Sequence, residues 1–191
     1  MSMQYMNLST RCRRLHRWLF HRGGHGVHSP FAFSLIKEVV EPRYPYYYRG
    51  CPMEGAQQRE LGLLLFRLVE CSRFRRLLLC GDEVALFRPY LEASNRDVVV
   101  MDQYVEGECY DLVVTDLPSL ADRFLNRASD MPAALSADAA LVMLNIHTQP
   151  TAQWWGQTID RSDVMLSFDL VTLGILYPHR LLNKHNYRLY F

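Results

Sequence analysis

Two acidic residues and a glycine stand at positions from which they could bind a nucleotide. Gly81 directly follows the apolar run Leu77–Cys80, and Asp102 ends a second apolar run about 20 residues later, the distance typical of a nucleotide-binding crossover. In such a unit, the glycine turn lies close to the ligand and the acidic residue accepts hydrogen bonds from its ribose hydroxyls. Asp116 ends a third apolar run and adds another carboxylate. The spacing therefore predicts a nucleotide-binding site at Gly81 and Asp102.

The loop after Gly81 departs from the glycine-rich pattern of such sites. That turn normally reads G-x-G-x-x-G or similar, whereas here it reads Gly81-Asp82-Glu83-Val84-Ala85. Two acidic side chains therefore stand where the backbone should approach the ligand. The loop is therefore more consistent with the predicted fold than with nucleotide binding.

The runs that carry these residues are typical of strands buried on both faces, because they are short, rich in Leu or Val, and bounded by Gly or Asp. Between the first two, Glu83–Ser94 has apolar residues at a spacing close to 3.6, which predicts a helix. Alternating elements follow: a strand before Asp116, a helix from Leu120 to Arg127 or beyond, a strand at Ala139–Asn145, a helix at Ala152–Ile159, and β-rich runs at Val164–Tyr177 and Tyr187–Phe191. This alternation predicts a doubly wound α/β sheet, mostly parallel with an antiparallel C-terminal strand.

Helices and a linker are predicted before the first strand. Ser29 is a natural N-cap and Pro30 suits the first helical position, so we expect a helix from Pro30 to about Val40. Glu41–Pro52 is rich in Pro and Tyr and predicts an extended linker, whose tyrosines either pack as loop residues, which we favour, or line a substrate pocket. Leucines on one face predict a helix at Gln57–Glu70. We therefore divide the chain into an N-terminal helical extension with linker, residues 1–55, and an α/β domain, residues 56–191.

Composition limits the classes of partner. The 191 residues are 49% apolar and 21% charged with a net charge of +1, as in a soluble globular protein that is not a general polyanion binder. Residues 1–50 nevertheless carry eight basic and only two acidic side chains. Within them, Tyr5–Arg22 has apolar residues at helical spacing with arginines between. We favour an amphipathic helix that packs on the domain; the alternative is a basic helix that lies on nucleic acid or a membrane.

Cysteines and histidines give no metal or disulfide pattern. The five cysteines are odd in number and include no C-x-x-C pair, so we expect reduced thiols and a cytoplasmic protein. His21, His25 and His28 match no zinc signature, and we predict no metal. No apolar stretch approaches the ~18 residues that span a bilayer, and the N-terminus lacks a signal-peptide apolar region.

Four stretches resemble a Bacteroidetes-type family of class I S-adenosylmethionine-dependent methyltransferases. They are the motif His25-Gly26-Val27-His28-Ser29-Pro30-Phe31, the helix Leu64–Val69, the turn Asn145–His147 with Trp154 and Trp155, and the C-terminal stretch from Asp169 through Tyr177 to Phe191. Their order and spacing agree at both ends, so the resemblance spans nearly the whole chain except its middle.

The resemblance implies S-adenosylmethionine as cofactor and, if the protein is active, a small-molecule substrate. By it, Gly81 is the first glycine of the cofactor loop, Asp102 holds the ribose, and Asp116 lies beside the methyl-transfer site. Asn145 falls at the second position of a paired Asp-Asp turn and is, with Asp116, the catalytic candidate. His147 is a further residue that could reach the mouth of the site.

Several positions depart from the family pattern. Ala85 replaces the second loop glycine, Leu79 stands where relatives carry Glu, and Leu144 offers no oxygen to a divalent cation. Only Gln103–Tyr110 connects the second and third strands, whereas a parallel crossover needs about 12 or more residues. We therefore expect the family's extra helix, strand and helix to be deleted there; the alternative is that the strands of Asp102 and Asp116 are separated by a gap or joined antiparallel.

Two hypotheses remain for the function. A reduced enzyme would present a cleft in which Gly81, Asp102 and Asp116 converge. A non-catalytic descendant, kept for binding or scaffolding through its basic N-terminal helix or a homodimer face, would have a filled or acidic cleft with Asp82 and Glu83 pointing into it. We favour the second for the chemistry, that is, a methyltransferase-like protein with impaired or lost catalysis.

Overall fold

The computed structural model describes residue 12 and residues 29–42, 46–48, 50–52, 55–125, 135–178, 183–189 and 191. The predicted helix at Tyr5–Arg22 and the first four residues of the motif His25–Phe31 lie outside the described residues, apart from Cys12. The helix and the start of the motif therefore remain predictions.

Seven strands of the described chain form one sheet. They are β1 (Arg76–Cys80), β2 (Val99–Met101), β3 (Tyr110–Thr115), β4 (Leu135–Leu144), β5 (Leu166–Asp169), β6 (Leu173–Tyr177) and β7 (His185–Arg188). Their order across the sheet is β2-β1-β3-β4-β6-β5-β7. All neighbouring strands pair in parallel except β6, which is antiparallel to both β4 and β5. The predicted fold class is confirmed; the antiparallel C-terminal strand is β6, and the last strand, β7, pairs in parallel with β5.

The helices lie close to their predicted bounds. They are α1 (Pro30–Leu35, continued by a π-helical segment Ile36–Val40), α2 (Ala56–Ser72), α3 (Arg88–Ser94, preceded by a 3-10 turn Ala85–Phe87), α4 (Pro118–Leu125) and α5 (Thr151–Asp160). Ser29 caps α1 as predicted, since its Oγ accepts a hydrogen bond from the Ala32 amide at 3.3 Å. None of the described helices is both long and apolar enough to cross a membrane.

The sheet is covered on both faces. Leu77 and Leu79 of β1 belong to the hydrophobic cluster that includes α1, α2 and α3, whereas Leu78 belongs to the cluster that includes α4 and α5. This alternation follows from the two-residue period of a strand. Complete burial of each leucine contributes about 1.5–3 kcal/mol, so the central strand of the sheet is held from both sides.

The connection between β2 and β3 excludes an antiparallel arrangement of these two strands. These strands lie on opposite sides of β1 and are both parallel to it, although only residues 102–109 join them. The link contains no helix; instead Tyr104 packs against Tyr110 and Phe124, with ring centroids 6.2 and 5.8 Å apart. The predicted alternative, in which these two strands are joined antiparallel, is therefore wrong, since both are parallel to β1. A loop that contains Tyr104 connects them in place of a helix. Among the described strands, β2 has no neighbour beyond β1.

The tryptophan pair of α5 has a packing role. The Trp154 Nε1 donates to the Asp122 carboxylate of α4 at 2.8 Å. The Trp155 ring covers Gly174 of β6 so closely that a Cβ on Gly174 would lie 2.2 Å from its Cη2 atom. Glycine is therefore required at this point of the sheet.

We expect Gly174→Ala to destabilise the fold by about 1–3 kcal/mol, because the added methyl overpacks a buried aromatic contact. Gly156→Ala is the matched control: Gly156 lies in α5, and a Cβ there would meet nothing within 4 Å, so alanine should stabilise by about 0.4–1 kcal/mol. Urea denaturation of both variants measures the difference. Equal effects of the two substitutions would contradict the packing role.

Candidate functional site

All four predicted site residues lie at one edge of the sheet. Asp102, Gly81, Asp116 and Asn145 come directly after β2, β1, β3 and β4, and the carboxyl ends of parallel strands share an edge. The chain leaves β1 towards β2 on one side, whereas β3 lies on the other, so β1 and β3 flank the point where the strand order reverses. Ligands of doubly wound sheets bind at such a point. The topology thus places the candidate residues where a cofactor would bind.

Gly81 and Asp116 are in direct contact. Gly81 has φ +132°, a conformation that side-chain-bearing residues rarely adopt, and a Cβ at this position would lie 1.7 Å from Asp116 Oδ1. The carboxylate of Asp116 therefore occupies the space above the glycine turn.

Asp116 is bound from the loop that follows Gly81. Its Oδ2 accepts a hydrogen bond from the Glu83 backbone N–H at 3.3 Å, so this carboxylate holds the loop after Gly81. Its Oδ1 is buried and has no hydrogen-bond partner among the described residues. A buried carboxylate oxygen without a partner is costly, so Oδ1 would gain from a donor.

Glu83 and Asn145 connect the two sides of the site. Asn145 Nδ2 donates to Glu83 Oε2 at 2.7 Å, although the residues are 62 positions apart. Asn145 adopts a left-handed conformation, φ +56°, that asparagine tolerates. Its backbone N–H donates to the Thr172 carbonyl at 2.7 Å. Because β3 lies between β1 and β4, the hydrogen bond between Glu83 and Asn145 spans the carboxyl end of β3. The sequence identified Glu83 as an acidic obstacle but did not indicate its partner.

Asp102 forms an ion pair with Arg88, the first residue of α3. Arg88 Nη1 also contacts Glu92 Oε1 at 2.8 Å and the Val100 carbonyl at 3.3 Å. Its hydrogen bonds to Asp102 and then to Glu92 raise the pKa of Arg88. The backbone carbonyl of Asp102 also accepts from the Cys80 thiol at 3.3 Å. Sequence analysis missed Arg88; its position at the start of the helix between β1 and β2 is the only local indication of this role.

His147 contacts Asp169, the last residue of β5. Its Nε2 lies 3.1 Å from both carboxylate oxygens of Asp169, and Asp169 Oδ1 accepts from the Val171 amide at 3.0 Å. Val171 has φ +73°, an unusual conformation for a β-branched residue. These contacts tie the loop after β4 to the end of β5 and to Val171 in the loop that follows it.

The candidate residues of the site contact one another or their immediate neighbours. Asp116 fills the space above Gly81, the Glu83–Asn145 hydrogen bond crosses the mouth, and the ribose candidate Asp102 is paired with Arg88. Among the described residues, no group of three or more His, Cys, Asp or Glu side chains is arranged to hold a metal ion. Internal contacts thus account for Asp116, Glu83, Asn145 and Asp102, apart from the Oδ1 atom of Asp116.

Comparison with known proteins gives a remote likeness to solved structures. No family model and no curated protein matches the sequence. Among solved structures, the chain is similar to the SAH-bound methyltransferase of Podospora anserina, with 13% sequence identity and a TM-score of 0.45. The likeness covers 92% of this chain and 98% of that chain. At this level it assigns neither a ligand nor residue roles, which rest on the contacts above.

Gly81→Ala should destabilise the protein more than Gly107→Ala. Both glycines have positive φ, but a Cβ on Gly107 would meet nothing within 4 Å. The Gly107 variant therefore shows backbone strain alone, about 1–2 kcal/mol, whereas Gly81→Ala adds the clash with Asp116 to the strain of its own φ of +132°. In an Asp116→Ala background the cost of Gly81→Ala should fall, because only its backbone strain remains. Urea denaturation of these variants tests this; a cost of Gly81→Ala that is the same with and without the carboxylate would contradict the contact.

The Cys80 thiol should ionise at a higher pH in the folded protein than in the unfolded one. Burial raises its pKa and the nearby Asp102 carboxylate raises it further, while a hydrogen bond with the Tyr104 backbone lowers it. Because only the thiolate reacts, the midpoint of the rate-against-pH curve for iodoacetamide should lie at higher pH when folded. The measurement uses a variant whose other cysteines are serine, with the same variant in urea as control. Coincident midpoints would contradict the buried placement.

Proposed function

We propose that this chain is a methyltransferase-like α/β protein in which catalysis is impaired or lost. The observation that carries the proposal is the contact between Asp116 and Gly81, since a carboxylate oxygen lies 1.7 Å from where a Cβ on Gly81 would be. A cofactor that must approach this glycine would have to displace the carboxylate. Membership of the Bacteroidetes-type methyltransferase family is part of the same proposal and rests on the sequence resemblance.

The hydrogen bonds around this contact support the same conclusion. Displacement of Asp116 would remove its hydrogen bond with the Glu83 backbone N–H. Entry of a ligand between the loops after β1 and β4 would separate Glu83 from Asn145. Both hydrogen bonds are exposed to solvent, so each contributes on the order of 0.2–1 kcal/mol. A ligand that replaced them would lose this stabilisation from its affinity.

Retention of the fold without chemistry would leave a binding or scaffolding role. The five cysteines are free, which supports a reducing compartment such as the cytoplasm. The basic segment at Tyr5–Arg22 and a homodimer face remain the proposed means of contact with partners. The division of the chain at residue 55 belongs to this proposal, although α1 shares a hydrophobic cluster with α2 and the sheet.

One observation favours the second candidate, a reduced enzyme that still binds S-adenosylmethionine and methylates a small molecule. Asp116 Oδ1 is buried without a hydrogen-bond partner among the described residues, and the ammonium group of a ligand would satisfy it. This candidate requires the Glu83–Asn145 hydrogen bond to open. Asp116 would then bind the ligand and Asn145 would be released, whereas Asp102 would also have to leave Arg88 for the role that the resemblance implies.

Calorimetric titration distinguishes the two candidates. We expect no heat and no thermal stabilisation of the wild-type protein by S-adenosylmethionine or S-adenosylhomocysteine at millimolar concentration. Micromolar binding, about −8 kcal/mol, that is lost in Asp102→Ala would overturn the proposal and establish a working site.

A pair of variants tests whether the closed mouth is the cause. Glu83→Ala removes the side chain that crosses the mouth, whereas Glu92→Ala removes a neighbouring carboxylate that contacts Arg88 but lies on α3. If closure alone prevents binding, the Glu83 variant should bind the cofactor and the Glu92 variant should not. Binding by both would point instead to the charge around Arg88.

A further inference from the structure

The turn between β5 and β6, residues Leu170–Thr172, has a strained backbone. The Thr172 N–H donates to the Leu170 carbonyl at 2.9 Å, across Val171 with φ +73°. This pattern is that of a γ-turn with positive φ at its centre, a rare and strained conformation. Val171 is also β-branched and only 1% exposed, so it adopts this conformation inside a packed environment. The turn therefore stores conformational strain at a buried position.

A buried hydroxyl adds a second cost in the same turn. Thr172 Oγ1 is buried and has no hydrogen-bond partner among the residues that the structure describes. A hydroxyl in this state has lost its water without a replacement. A connection optimised for stability alone would have glycine in place of Val171 and an apolar side chain in place of Thr172. Strain and unsatisfied polar groups of this kind are concentrated at functional sites and switch regions.

The turn holds the backbone of Asn145, the residue that closes the candidate site. The Asn145 N–H donates to the Thr172 carbonyl at 2.7 Å, beside the last residue pair of β4 and β6. Asn145 Nδ2 donates to Glu83 Oε2, also at 2.7 Å. A change of Val171 to negative φ would move Thr172 and withdraw the carbonyl that holds Asn145. The position of the Asn145 side chain therefore depends on the conformation of the turn.

Asp169 contacts both the turn and the loop after β4. Its Oδ1 accepts a hydrogen bond from the Val171 N–H at 3.0 Å, and Asp169 is itself buried. The His147 Nε2 lies 3.1 Å from both oxygens of the same carboxylate. Because His147 is two residues after Asn145, the strained turn and the segment of Asn145 are joined twice, through the Asp169 carboxylate and through the Thr172 carbonyl.

We propose that the turn Leu170–Thr172 is a conformational switch for the candidate site. In its strained state it places Asn145 on Glu83 and the mouth is closed, whereas relaxation of Val171 to negative φ releases Asn145 and opens the mouth. The inference rests on the proposed function, because it takes the Glu83–Asn145 hydrogen bond as the closure. It adds that closure is opposed by strain at a turn outside the glycine loop, so a change in that turn shifts the balance between the two states.

Hydrogen exchange of the Asn145 backbone N–H measures the opening, because this group donates to the Thr172 carbonyl. Val171→Gly and Val171→Ala remove the same packing, but only glycine adopts positive φ without strain. We expect exchange to be roughly five- to thirtyfold slower in the glycine variant than in the alanine variant. The Val142 N–H, in the interior of β4, is the control for global unfolding, and urea denaturation gives the stability of each variant.

Thr172→Val tests the second cost independently. It removes the unsatisfied hydroxyl at almost constant shape, so it should slow exchange of the Asn145 N–H relative to the wild-type protein. Equal exchange of the two Val171 variants after correction for global stability would overturn the proposal. Faster exchange in Thr172→Val after the same correction would equally overturn it.

The Asn145 side-chain amide resonances report the closure itself. Glu83→Ala removes the acceptor and gives the reference position of these resonances in the open state. The resonances of Val171→Ala should lie closer to this reference than those of Val171→Gly. Identical side-chain resonances in the two variants would show that the turn does not control the mouth, and would refute the switch. All these measurements use the protein without cofactor, so micromolar binding of S-adenosylmethionine would overturn the proposed function without altering their outcome.

Discussion

The double-sided burial of β1 is the constraint on which the rest of the structure depends. Its leucines alternate between two hydrophobic clusters, so helices must cover both faces, and β2 and β3 must flank it in parallel. Parallel neighbours bring the ends of β1, β2 and β3 to one edge. The close approach of Asp116 to Gly81 follows from that arrangement.

At this edge, the residues that the sequence predicts for a nucleotide site make internal contacts. Asp116 contacts the glycine turn, Glu83 accepts a hydrogen bond from Asn145, and Asp102 pairs with Arg88. Asp102 and Glu83 stay exposed to solvent, whereas Asp116 Oδ1 is buried with no hydrogen-bond partner among the described residues. A buried polar atom without a partner is costly, so Asp116 is the least satisfied of these groups.

The amino edge of the sheet differs in character. There the helices α1 and α2 leave a cavity with an apolar interior and acidic outer residues, distant from the glycine turn. Ligand sites in doubly wound folds normally lie at the carboxyl edge because of the strand-order reversal.

The sequence by itself determined the elements and their class, because the burial periods of strands and helices are local properties. Short Leu- and Val-rich runs bounded by Gly or Asp predicted β1 to β3, and Ser29 with Pro30 predicted the start of α1. The positions of Gly81, Asp102, Asp116 and Asn145 at strand ends followed from the same patterns and from the family resemblance. Only the tertiary structure decided which of these residues contact each other. The Glu83–Asn145 hydrogen bond joins residues 62 positions apart, and the Arg88–Asp102 pair depends on where α3 crosses β2. Sheet order also decided that residues 102–109 cross β1 as a loop held by Tyr104, since no local pattern in that segment encodes the strands that it must connect.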